Sequence, residues 1–129
     1  MYNADDFIAG LDLKPHIEGG YFQEVYKNAR TIASGALLPD YGGERPLATT
    51  IYYLLKSGQV SKFHRLKSDE LWLYHYGSPL LIHTITARQK LVTHRLGLNT
   101  AAGEQPQVLI PGGTIFGAEV AQPASFGLA

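Results

Sequence analysis

The chain has no cysteine, one methionine and one tryptophan in 129 residues. Without cysteine there are no disulfides, no thiolate nucleophile and no cysteine-ligated zinc. No apolar run approaches the roughly 18–20 residues that a membrane-crossing helix needs, so no membrane partner is expected. An excess of one charge is missing too: eleven Lys and Arg balance eleven Asp and Glu. The chain therefore lacks the overall field that attracts nucleic acid. Its opening, MYNADDFIAGLDL, is acidic and mixed, unlike a secretory leader, and a cytoplasmic location is expected. Also absent are a glycine-rich phosphate loop running into a helix, a G-x-S-x-G elbow, an H-E-x-x-H pair and an EF-hand loop. These absences remove the kinase, serine hydrolase and zincin readings.

What is present is punctuation. Fourteen glycines, seven prolines and eight tyrosines are spread along the chain. Short β-branched and aromatic segments between such breaks suggest an all-β sandwich or barrel. A length of 129 residues fits one domain, 1–129. Asn3 can cap a short N-terminal helix with Asp5 and Asp6 in its first turn. KPHIEGG (14–20) reads as a turn, its paired glycines permitting positive φ. Alternation marks strands at 21–28, 47–56, 59–64, 70–77, 80–87, 90–97, 107–111 and 114–121. Residues 33–46 carry no period and read as one long loop. About eight short strands point to a jelly roll, wide enough inside for a small ligand.

The segment 58–77, GQVSKFHRLKSDELWLYHYG, carries the chemistry. Gly58, His64, Glu70 and Gly77 are separated by five, five and six residues. This resembles the first cupin motif, G-x5-H-x-H-x3-E-x6-G, except that Leu66 replaces the second histidine. PGGTIF (111–116) resembles the second motif with Phe116 in place of its histidine. PHIEGGYFQEVYKNAR (15–30), TTIYYLL (49–55), SKFHRLKSDELW (61–72) and PLLIH (79–83) resemble, more narrowly, the domain-of-unknown-function 985 family of the cupin superfamily. Ile17 and Leu73 depart from its pattern. The resemblance covers most of the chain and implies a double-stranded β-helix and a homodimer, with no established reaction. Family members continue beyond this C-terminus, so the chain would lack their last strand segment. The metal-free sugar-nucleotide epimerases share the shape and abstract a proton with a barrel histidine.

A cupin metal takes three histidines and one glutamate. Leu66 and Phe116 cannot ligate, so His64 and Glu70 leave the site short of ligands. No metal and no cofactor are expected. A histidine beside an interior carboxylate suits general-base work near neutral pH. The expected catalytic set is His64 as base, Glu70 as its partner and Tyr74, on the Glu70 face, as acid. Lys62 or Arg45 would stabilise an oxyanion. Lys62, His64, Arg65 and Lys67 form a basic cluster suited to a phosphate, although Lys62, Arg65 or Lys67 taken singly reads rather as a solvated edge residue. Glu24, on an aromatic strand face, and Trp72 would complete a ligand site. The expected ligand is a nucleotide or nucleotide sugar. Three readings stay open: a metal-independent isomerase or epimerase, a non-catalytic binding module, and a metal cupin with unusual ligands.

Overall fold

In the computed structural model, which describes residues 1–36 and 41–129, the chain opens with helix α1 (Ala4–Gly10). Asn3 starts it: its side chain accepts from the Asp5 and Asp6 amides, and Asp6 accepts from the Asn3 amide. This reciprocal capping satisfies donors that the first turn leaves open. The strands among the described residues are β1 (Lys14–Pro15), β2 (Tyr21–Lys27), β3 (Thr31–Ile32), β4 (Arg45–Pro46), β5 (Thr49–Lys56), β6 (Val60–Arg65), β7 (Glu70–Leu73), β8 (Tyr76–Gly77), β9 (Leu80–Ile85), β10 (Leu91–Leu96), β11 (Gln107–Ile110), β12 (Ile115–Val120) and β13 (Phe126–Leu128).

Every strand pair is antiparallel. One sheet has the order β1-β2-β5-β13-β8 and a second the order β10-β9-β12-β6, while β7 pairs with β11 and β3 with β4. This is the all-β cupin architecture that the resemblance implies. The core lies between the layers. Alternation along β5 sends Tyr53 and Leu55 into it, where they meet Trp72, Leu80, Ile82, Leu96, Val108, Ile110 and Phe116. Leu54 points the other way and packs with Leu13 and Leu128 beneath α1. No described helix is long and apolar enough to cross a membrane.

Three expectations need correction. The segment 70–77 is two strands, not one. The Tyr74 amide donates to Pro106 on the β11 side, and the His75 amide donates to Leu128 on the β13 side. The chain therefore crosses between sheets at that point. β13 was not expected: FGL is too short to show a period, yet it lies between β5 and β8 and pairs with both. The stretch 33–46 is not structureless throughout. Ser34–Ala36 form a 3-10 turn and Arg45 pairs with Ile32; residues 37–40 lie outside the described part.

Candidate functional site

Strand β6 departs from simple alternation. Against β12 its register runs Arg65 to Ile115 and His64 to Phe116, then Ser61 to Ala118 and Val60 to Glu119. Lys62 and Phe63 thus share one place opposite Gly117, which is a β-bulge. The extra residue resets the faces. Ser61 is buried and His64 half-buried, while Lys62 and Phe63 are exposed. The His64 ring packs on Phe116, centroids 4.3 Å apart. Its Nδ1 lies 2.6 Å from the Lys62 carbonyl. A carbonyl only accepts, so Nδ1 carries the proton and the neutral ring keeps its lone pair on Nε2.

Glu70 opens β7 and is half-buried near His64. Burial raises its pKa, and the His64 charge and the Trp72 indole partly offset this. No hydrogen bond joins Glu70 to His64, so the expected pairing is electrostatic. Trp72 is buried in the core, edge-on to Tyr53 at 5.6 Å and to Phe116 at 6.5 Å. Its Nε1 is buried without a hydrogen-bond partner, falling short of bonding geometry to Glu70.

The turn 16–20 closes on the same place. The Lys62 amide donates to the Glu18 carbonyl at 2.8 Å, pinning the turn to the β6 bulge. Gly19 and Gly20 have φ of 111° and 73°. A Cβ on Gly19 would collide with the Val60 carbonyl oxygen, and one on Gly20 would stand 2.6 Å from that of Leu54. Only glycine allows this approach. The His16 ring meets Phe22 and Tyr53 edge-on at 4.8 and 5.5 Å, and its Nδ1 accepts from the Glu18 amide at 3.0 Å. Burial lowers the His16 pKa; Glu18 opposes this and the His64 charge adds to it. The Tyr53 hydroxyl donates to the Gly19 carbonyl at 2.6 Å. Burial pushes this phenol up to about 12; Ser61 opposes the shift, and Glu70 and Glu18 add to it.

The structure thus gathers His64, Glu70 and Trp72 as the sequence suggests, and adds His16, Glu18, Tyr53 and Ser61. His16 and Glu18 were readable only as part of a turn, although a histidine and a carboxylate two residues apart before a glycine pair were a usable signal. Tyr53 lies in an apolar run, and nothing in its alternation separates it from core.

The other expected residues lie elsewhere. The Tyr74 hydroxyl donates to the Gly77 carbonyl at 2.7 Å. Burial raises its pKa, with Glu104 and Tyr76 as the charges that add to it. It is Tyr53, not Tyr74, whose phenol senses Glu70. Arg45 stands 5.8 Å from the Tyr41 ring centroid, where Lys67 also sits at 5.6 Å. Lys62 lines a solvent-facing groove of about 270 Å³ with Phe63, His83 and Glu119. Glu24 is exposed opposite Ile51 on β5.

A cupin metal does not fit these residues. Leu66 lies beyond the end of β6, Phe116 is buried core, and among the described residues no three His, Asp or Glu side chains are grouped to hold an ion.

Two solved structures are close to the chain. One is a protein of Shewanella oneidensis, 43% identical with a TM-score of 0.82, matching 99% of this chain and 77% of that one. The other is a hypothetical protein from Leishmania major, 35% identical with a TM-score of 0.88, matching 98% and 78%. No curated protein matches the chain. The family model described as Cupin superfamily (DUF985) matches residues 5–129. The chain belongs to this cupin family.

Proposed function

We propose that this cupin binds a small polar, phosphorylated ligand, a nucleotide or nucleotide sugar, at the His64–Glu70 cluster. There it acts as a metal-independent isomerase or epimerase. One observation carries the reading: the Lys62 carbonyl holds the proton of His64 on Nδ1, which leaves the Nε2 lone pair of the neutral ring available as a base. A neutral imidazole with a fixed tautomer beside a carboxylate is suited to taking a proton from carbon next to a ketone. The Glu70 carboxylate would stabilise the imidazolium that results. His64 and Glu70 are both half-buried, so a ligand can reach them. The protein would work in the cytoplasm, as a homodimer.

A second reading is a non-catalytic nucleotide- or sugar-binding module. It is favoured because the His64 ring bonds the Lys62 carbonyl rather than Glu70, and holding a ligand requires no coupled histidine–carboxylate pair. A third, a metal cupin with unusual ligands, is tested by elemental analysis of purified protein.

Deuterium exchange separates the first two. Incubated in D2O, the protein should wash deuterium into the carbon beside the ketone of a thymidine-diphosphate 4-keto sugar, and His64→Ala should abolish this. Thermal stabilisation by the sugar nucleotide without exchange would favour the binding module. Exchange that survives in His64→Ala would end the base assignment.

A further inference from the structure

The two histidines of the cluster carry their protons in opposite ways. The Glu18 amide is a donor by chemistry, and it points at Nδ1 of His16 at 3.0 Å. Nδ1 of the neutral His16 ring is therefore the acceptor and Nε2 carries the hydrogen. His64 is the reverse: its Nδ1 faces a carbonyl at 2.6 Å, so Nε2 is bare. Neither tautomer rests on a mobile side chain. Each is set by a backbone group, and the Lys62 residue that fixes His64 also donates its amide to Glu18. One short unit of backbone thus fixes both rings.

We infer that His16 is a second catalytic residue, the hydrogen-bond donor that faces the His64 base across a bound carbonyl compound. This rests on the isomerase reading and adds the chemical class that the site takes: a carbonyl oxygen for Nε2–H of His16, flanked by an acidic C–H for Nε2 of His64. In the forward step the Nε2 lone pair of His64 forms a bond to the proton and the C–H bond breaks. The electron pair moves into a new carbon–carbon double bond, and the carbonyl π pair shifts to oxygen. That oxygen is stabilised by the His16 N–H, which remains on or returns to His16 when carbon is reprotonated. No oxidant, reductant or co-reactant is needed. A neutral imidazole is the better partner for such an oxygen, since it donates without having to lose a stabilising charge afterwards. Burial, which lowers the His16 pKa, keeps it in that form near neutral pH.

Two measurements test this. The first is nitrogen-15 NMR of the histidine rings in the wild-type protein at neutral pH. The expected result is a hydrogen on Nε2 of His16 and on Nδ1 of His64. A hydrogen on Nδ1 of His16 overturns the inference whatever the activity. The second is the D2O exchange assay with the thymidine-diphosphate 4-keto sugar. His16→Ala should slow exchange about a hundredfold, in the range of one lost transition-state hydrogen bond. His16→Gln places an amide N–H near the position of Nε2 and should restore much of the rate. Wild-type exchange that is unchanged in His16→Ala overturns the donor role and leaves the His64 base standing. No exchange by the wild type overturns both.

Discussion

Phe116 stands directly across the β6–β12 ladder from His64, their ring centroids 4.3 Å apart. It occupies the position where the second cupin motif would carry a ligand histidine, and it is 1% exposed. The residue that removes a metal ligand is thus a packed member of the core. It braces the His64 ring and meets Trp72 edge-on. Phe116→Ala should destabilise the protein by about 3–5 kcal/mol, the cost of a large cavity. Urea denaturation followed by Trp72 fluorescence measures this. A loss under about 1 kcal/mol would show that the core relaxes and that Phe116 is not its keystone.

Glu70 makes a prediction with a definite sign. Its folded pKa is raised above the ordinary 4.5, chiefly by burial. The folded state therefore holds the proton to higher pH than the unfolded chain does. Stability falls as pH rises from 4.5 through the folded pKa, and the loss is complete above it. Glu70→Gln removes an ionisation that folding disfavours. The variant should be more stable than wild type at pH 8 and lose that advantage toward pH 4. Equal melting temperatures across this range would refute the burial argument. Deuterium exchange should meanwhile fall in Glu70→Gln, because the His64 imidazolium loses its counter-charge.

The glycine turn separates conformation from space. Gly20 and Gly58 have similar φ, 73° and 83°. A Cβ at Gly58 meets nothing within 4 Å, whereas at Gly20 it would press on the Leu54 carbonyl and side-chain atoms of Leu55 and Tyr53. Alanine at either position carries the strain of a left-handed backbone, of order 1–3 kcal/mol. Gly20→Ala should cost clearly more than Gly58→Ala and should also displace His16, whose amide donates to the Gly20 carbonyl. Chemical denaturation gives the two costs side by side. Equal losses would mean that the turn yields and does not hold His16 rigidly.

The barrel was readable from the sequence because alternation and glycine spacing are local. So was the α1 cap, whose donor, acceptor and spacing all lie within Asn3–Asp6. His64 and Glu70 were readable through their spacing. Lys62 was misplaced because period two assigns it to the His64 face. A bulge costs one residue and leaves no mark on composition, yet it turns Ser61 and His64 inward together. Tyr74 shares Glu70's face by count, but the chain leaves β7 at Leu73 and crosses to the other sheet. His16 was hidden for a different reason. Its role depends on the contact between Glu18 and Lys62, 44 positions apart, and no local pattern encodes that.

The two tyrosines give the sharpest remaining comparison. Each hydroxyl donates to a glycine carbonyl, Tyr53 to Gly19 at 2.6 Å and Tyr74 to Gly77 at 2.7 Å. Removing either should cost about 1–3 kcal/mol if the carbonyl is left without a partner, so stability alone does not distinguish them. Function does. Tyr53 anchors the turn that carries His16 and Glu18, and Ser61 and Glu70 act on its hydroxyl. At about 12 its pKa keeps it protonated at neutral pH, as a fixed donor rather than a titrating acid. Tyr53→Phe should therefore release the turn and slow deuterium exchange, with the His16 ring shift moving in the NMR spectrum. Tyr74→Phe should leave both the exchange rate and the His16 signal unchanged. If Tyr74→Phe stops exchange while Tyr53→Phe does not, the acid expected from Glu70's strand face is right after all, and the cluster around His16 is structural.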